Sequence, residues 1–170
     1  IYIEKWPWTF GPGYPWWKYM SRPVPNISEL DEVRELSKKG QAFAFAVNAR
    51  GTAKYKSNSV ENADIACVSH EYDKLRSFEV IKGRYFTETE SENGRAVCII
   101  GNTIAEGLFN QVDPVGQTIK IRGAKLKVIG VLKKEGESMI GSNVDAQVIV
   151  PVNFARNLVY LAGHEPGQPQ

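Results

Sequence analysis

The residue types that most often carry chemistry are sparse in this chain. Two histidines occur, His70 and His164, and two cysteines, Cys67 and Cys98. The histidines are far apart, without the i, i+4 spacing by which one helix face presents a zinc pair, and no close cysteine pair accompanies them, so no metal site is expected. Ser69-His70-Glu71 has the types of a nucleophile, a base and an orienting acid. Sequence neighbours point in different directions, however, and a triad works only where three groups converge on one reacting atom. A small hydrolase built on His70 would require activity that is lost in His70→Ala. Cys67 and Cys98 lie in apolar, strand-like runs with no cation or helix start to favour a thiolate, so both read as buried thiols, and one disulfide between them stays open.

Two other clusters invite the same scrutiny. Carboxylates crowd residues 87–92 next to Asn93-Gly94, a composition that predicts a surface loop rather than an acid–base pair. Residues 116–125 collect glycines and lysines, but they lack the Gly-Lys-Ser/Thr end of a phosphate-cradling loop and alternate with strand periodicity. No catalytic, cofactor-binding or metal-ligating residue is therefore assigned, and no cofactor is expected. That absence points to a binding or mechanical role.

The elements that would position any site are read from periodicity. Asn26-Ile27-Ser28-Glu29 opens a helix to residue 39, with Asn26 as cap in a variant capping box and Leu30, Val33 and Leu36 as the buried stripe. Residues 41–49 alternate as a strand, with Phe43, Phe45 and Val47 on one face and an alanine face that suggests packing on the preceding helix. Residues 48–51 read as a turn, 52–59 as a polar partner strand, and 64–69 as a third strand. A helical turn at 72–77 precedes a strand at 78–81. Residues 96–101 are an apolar strand leading to a helix capped at Asn102-Thr103, with Thr103 and Glu106 as a capping box. Ile119 and Ile121 face one way, Lys120 and Arg122 the other, and Gly123-Ala124 fits a two-residue hairpin loop before the strand around 126–132. Residues 133–145 form a polar loop with Met139-Ile140 near its middle, residues 146–150 close the sheet, and a helix follows at 153–161.

Composition bounds the partners. At 170 residues and 42% hydrophobic content, the chain can bury a core as one domain or two small ones. Lys and Arg exceed Asp and Glu by 21 to 19, without a basic block, which argues against a nucleic-acid partner. No apolar run reaches the roughly 18 residues of a membrane span, and no charged-then-apolar leader is present. The chain starts at Ile1 rather than Met, so the expectation is a piece excised from a longer protein. Residues 1–25 hold all four tryptophans, Trp6, Trp8, Trp16 and Trp17, among five prolines. This aromatic arm must cover its rings on the domain's own surface, at a membrane interface, or against a sugar or protein partner.

Taken in order, Gly83-Arg84-Tyr85-Phe86-Thr87, residues 96–101 followed by Ala105-Glu106 and Leu108-Phe109, Asp113-Pro114-Val115-Gly116-Gln117-Thr118-Ile119, and Val128-Ile129-Gly130-Val131-Leu132 resemble the periplasmic core domain of the MacB, LolC/LolE and FtsX-like ABC transporter permeases. The resemblance is dense over residues 78–152 and thinner upstream. It implies an α+β fold of mixed sheets with short helices, in which a Porter-like βαβ subdomain carries an inserted Sabre-like subdomain. The corresponding division is an aromatic arm at 1–25, a Porter-like part at 26–82 lacking its C-terminal βα unit, a Sabre-like part at 83–152, and a terminal helix and tail at 153–170. The resemblance also implies a non-catalytic domain on the periplasmic side of the bacterial inner membrane. It would couple cytoplasmic ATP hydrolysis to efflux or lipoprotein transfer through domain motion and partner binding. The implied partners are a second permease chain, a cytoplasmic ATPase subunit or domain, a periplasmic adaptor or lipoprotein carrier, and the membrane through flanking helices. The alternative is a free-standing secreted binding module that uses the Trp-rich arm for a carbohydrate or protein ligand.

Overall fold

The computed structural model describes residues 26–37, 40–135 and 144–156. The chain divides into two compact units, Ile1–Phe43 and Ala44–Gln170. In the first unit, helix α1 spans Glu29–Leu36, with Glu29, Asp31 and Glu32 in its first turn, where the positive end of the helix dipole favours them. Asn26 starts the turn through its carbonyl, which accepts the Glu29 N–H at 3.0 Å, but the expected capping box does not form. The stripe is also narrower than expected. Leu30 and Val33 are half-buried while Leu36 is 83% exposed, and the chain leaves the helix at Ser37 in an extended conformation.

The second unit opens with a long hairpin, β1 (Ala46–Tyr55) and β2 (Asn58–Val68). This corrects the turn expected at 48–51. Asn48, Ala49, Arg50 and Gly51 pair in register with Ala66, Ile65, Asp64 and Ala63, and the irregularity at Gly51 is absorbed as a bulge before Ala53. The reversal comes at Lys56-Ser57, between the paired Tyr55 and Asn58, with Lys56 at a φ of 52°. Burial decides this, because the long register directs Ala53, Tyr55, Ile65 and Cys67 to one apolar side. The expected strands at 52–59 and 64–69 are thus parts of β1 and β2.

Then follow α2 (Tyr72–Leu75), β3 (Val80–Gly83), α3 (Glu88–Glu92), β4 (Val97–Ile100), α4 (Asn102–Phe109), β5 (Thr118–Ile121), β6 (Ala124–Leu132), a 3-10 turn (Val144–Ala146) and β7 (Gln147–Pro151). The sheet order is β3-β6-β4-β7-β2-β1-β5, and β5 also pairs back onto β6. Among the described strands, six therefore close a ring, β6-β4-β7-β2-β1-β5, and β3 stands outside it. β3 and β5 share one flank of β6, β5 taking residues 124–127 and β3 residues 130–132. The β2–β7 and β4–β6 pairs are parallel and the others antiparallel, the mixed α+β arrangement expected. Strands on both sides of residues 82–83 hydrogen-bond within this one sheet.

Register sorts the core into two layers. Ala53, Ile65, Cys98, Ile100, Ile119, Leu126, Val128 and Val148 share the inner face. Helix α4 packs against β1, β2 and β6, with its Phe109 ring 4.4 Å from that of Tyr55. The outer layer lies over β2, β4, β6 and β7, where Ala66, Val68, Val97, Ile99, Ile129, Leu132 and Ile149 pack with Phe86 beneath half-buried Tyr72, Phe78 and Tyr85. Each fully buried aliphatic or aromatic side chain contributes about 1.5–3 kcal/mol.

Three local expectations are corrected. Residues 87–92 form a helix rather than a loop. Thr87 Oγ1 accepts the Glu90 N–H at 3.3 Å, and Glu90 Oε2 accepts the Thr87 N–H at 2.9 Å, a full capping box. Helix α4 is capped by Gly101, not by Asn102-Thr103; Asn102 already lies inside it and donates to Glu106 Oε1 at 2.7 Å. A Cβ at residue 101 would strike the Val144 and Asp145 carbonyls, so the strand-to-helix turn needs glycine there. The second hairpin turns at Arg122-Gly123, one residue early, because Ile121 pairs with Ala124; both turn residues have positive φ, as a type I′ loop requires.

Candidate functional site

Most of the described groups singled out for chemistry are engaged elsewhere. Ser69 Oγ accepts the Phe45 N–H at 2.9 Å, Glu71 pairs with Lys74 at 3.1 Å, and the His70 ring lies 6.1 Å from that of Tyr85 and 6.3 Å from Phe86. Nδ1 of His70 and the Tyr85 hydroxyl are buried without a hydrogen-bond partner, the hydroxyl lying beside the Asp73 backbone. Burial pushes the Tyr85 hydroxyl pKa up, with Asp73 adding to it, so it stays a neutral phenol. No nucleophile faces a base here.

Cys67 and Cys98 are both free thiols. They lie on β2 and β4, on either side of β7, so their backbones are two strand spacings apart, about 9.6 Å, beyond disulfide reach. Burial pushes Cys67 up to about 11 and raises Cys98 further, the opposite of what a nucleophilic thiol needs. Glu90 binds Arg84 through both carboxylate oxygens, at 2.7 and 2.8 Å. The Arg84 hydrogen bonds, with help from Thr87, draw its pKa down to about 2, so it is a fixed ion rather than a proton carrier. Among the described residues, no group of three or more His, Cys, Asp or Glu could hold a metal ion. The glycines and lysines of 116–125 sit in and before the β5–β6 hairpin. His164, Met139-Ile140 and the aromatic arm lie outside the described residues.

What the second unit offers is surface. An open cavity of about 680 Å³ lies where the β1–β2 turn meets the end of α4, lined by Tyr55, Lys56, Asn58, Phe109, Asn110 and Val112 among others. Asn58 Nδ2 donates to the Leu108 carbonyl at 2.8 Å, fixing one wall, and the Lys56 ammonium stands 5.2 Å from the Tyr55 ring. A second surface is the outer face of β1, β5 and β6. Lys54 pairs directly with Lys120, and Lys120 directly with Lys125, so three lysines line up across three neighbouring strands. Ser59 continues this row on β2, and the adjacent row holds Thr118 and Lys127. All four lysines are exposed, and none of them forms an ion pair among the described residues. The alternation of Lys120 with Ile119 and Ile121 was legible in the sequence. The row was not, because it depends on a register among strands remote in sequence.

Similarity to known proteins extends over nearly the whole chain. The sequence profile of the MacB-like periplasmic core domain matches residues 2–168. The macrolide export ATP-binding/permease protein MacB of Bdellovibrio bacteriovorus is 34% identical over 118 residues, which cover 66% of this chain and 18% of that protein. The pyoverdine export ATP-binding/permease protein PvdT of Pseudomonas fluorescens is 30% identical over 136 residues, covering 79% of this chain and 21% of that protein. The chain thus spans about a fifth of the length of these relatives. Among solved structures, the periplasmic region of MacB from Actinobacillus actinomycetemcomitans superimposes with a TM-score of 0.71 at 17% identity, over 88% of this chain and 65% of that one, a likeness of fold.

Proposed function

Since the chain belongs to the MacB-like periplasmic core domain family, we propose that it is the non-catalytic extracytoplasmic part of an ABC transporter permease, where it couples cytoplasmic ATP hydrolysis to export through domain motion and partner binding. The observation that carries this reading is the profile match over residues 2–168, joined to a barrel whose polar and nucleophilic groups are locked into packing. A closed ring has few soft modes, since every strand but β3 is hydrogen-bonded on both flanks somewhere along its length. Such a body moves as a unit and passes displacement on rather than absorbing it. The relatives' names support export as the activity, of a macrolide in one relative and a pyoverdine in the other. The partners of this reading are a second permease chain, a cytoplasmic ATPase, and a periplasmic adaptor or lipoprotein carrier.

The experiment replaces residues 2–168 by a flexible linker within the full-length permease, reconstituted with its ATPase in proteoliposomes. The expected result is continued ATP hydrolysis with export abolished. Export at the intact rate would overturn the coupling role, and loss of ATP hydrolysis itself would assign the domain to the ATPase cycle instead.

A further inference from the structure

The lysine row is physically costly, and the fold does not need it. Like charges directly opposite on neighbouring strands destabilise a sheet. With strands about 4.8 Å apart, the side chains of Lys54, Lys120 and Lys125 rise from a patch only about 10 Å across. Ser59 and Thr118 beside the row carry no charge, Lys127 adds a fourth cation one step along β6, and the exposed Glu61 two residues from Ser59 on β2 forms no ion pair with it. Elsewhere on this unit exposed cations do have acids: Arg50 has Asp64, Lys74 has Glu71, Arg84 has Glu90 and Lys133 has Glu79. What sets the row apart is register: its lysines stand directly opposite one another on three neighbouring strands.

We infer that the outer face of β1, β5 and β6 is an interaction surface for an acidic protein face, whose carboxylates neutralise the row formed by Lys54, Lys120 and Lys125. Three observations choose this occupant. A second copy meeting the first through the same face would set lysine against lysine, so the partner is a different surface. A membrane-docking face would interleave its cations with apolar residues that enter the interface. Among the described residues of this unit, the exposed large apolar side chains, Val47, Leu75, Ile81 and Val112, all lie off this face. Finally, the row stands on a ring with an apolar inner face, so the backbone positions from which its lysines rise are held at fixed spacing. This assignment rests on the reading of the chain as a partner-binding transporter domain.

The test titrates the 170-residue chain with fluorescein-labelled poly-L-glutamate, and separately with phosphatidylglycerol vesicles. Two charge reversals are compared: Lys54→Glu/Lys120→Glu/Lys125→Glu, and Lys74→Glu/Lys82→Glu/Lys133→Glu, which makes the same change in net charge elsewhere. The expected result is poly-glutamate binding that weakens steeply between about 20 and about 200 mM salt, falls about tenfold or more in the row variant, and changes about twofold or less in the control variant. Lys120→Glu alone is expected to weaken binding while raising the melting temperature, which separates a lost contact from a damaged fold. Equal weakening in both triple variants overturns the proposal, as does the absence of poly-glutamate binding. Row-dependent binding to vesicles without binding to poly-glutamate also overturns it, in favour of lipid. Failure here leaves the export experiment untouched, and failure of export coupling leaves this binding result standing, so the two readings fail separately.

Discussion

Two sectors of the same barrel solve different problems. Around β4, β7 and β2 both faces are apolar: Cys98, Ile100, Val148 and Ile65 point inward, while Ile99, Ile149, Ala66 and Val68 point outward under the aromatic layer of Phe78, Tyr85 and Phe86. Around β1, β5 and the first half of β6, residues 124–127, only the inner face is apolar, and the outer face carries Lys54, Lys120, Lys125 and Lys127 to solvent. The first sector is read as continuous apolar runs, the second as strict alternation. A strand covered on both sides cannot change a residue without disturbing packing. A strand covered on one side is free to present chemistry, and it is there that the unpaired charge accumulates.

The sharpest test sets one outward residue in each sector against the other. Ile149→Ala removes a fully buried side chain from the doubly covered sector and is expected to cost about 2–5 kcal/mol, by transfer and cavity terms together. Lys120→Ala, on the outer face of β5, is expected to stay within about 0.5 kcal/mol of the parent. Urea denaturation of both variants checks this, and equal losses would erase the distinction between the sectors. Next in size, Cys98→Ser places a hydroxyl in a fully buried apolar site and is expected to cost about 1–3 kcal/mol. In the native parent, neither thiol is expected to react with a thiol reagent until the chain unfolds, since burial raises both pKa values.

A smaller effect tests helix α3, which packs against β7. Glu90 closes the capping box of α3 and grips Arg84, so Glu90→Gln is expected to lose about 1 kcal/mol, a figure lowered for solvent screening of the half-exposed Arg84. The sign follows from the depressed pKa. With about 2 in the fold against 4.5 ordinarily, the contribution is complete above pH 4.5 and fades as pH falls toward 2. The stability gap between parent and Glu90→Gln, followed by thermal melts from pH 7 to pH 2, is expected to narrow over that window. A gap independent of pH would mean that the cap acts through packing alone.

How much of this was legible beforehand also divides by sector. Apolar runs at 96–101 and 146–150 announced the strands found at Val97–Ile100 and Gln147–Pro151, because burial on both faces needs no partner to be recognised. The β1–β2 hairpin was misread because Asn48 to Gly51 has turn chemistry. Its fate was decided by pairing with Ala63 to Ala66, which lies outside any local window. The same holds for Gly101, whose role as cap depends on the carbonyls of Val144 and Asp145 arriving from a distant turn. The helix at 88–92 is different, because its Thr87 and Glu90 spacing was present in the sequence and was outweighed by the polar composition around it. No site was expected on the basic face, since alternation shows that Lys120 points outward but not that Lys54 and Lys125 stand beside it.

The smallest expected effect discriminates most finely. If the row of Lys54, Lys120 and Lys125 is only a solvated surface, replacing its centre with an acid should do little. If it stores repulsion, Lys120→Glu converts two like-charge contacts into two opposite-charge contacts at once and is expected to stabilise the chain by about 0.2–1 kcal/mol. The gain should be largest at low salt and shrink as the Debye length falls below the strand spacing, toward about 1 M. Lys82→Glu on β3 removes a cation without opposing lysines and serves as the control, with no gain expected. Such a gain would show that the row costs the fold stability that a surface-charge change recovers. A flat response to Lys120→Glu at every salt concentration would remove that argument and leave the two sectors differing only in what covers them.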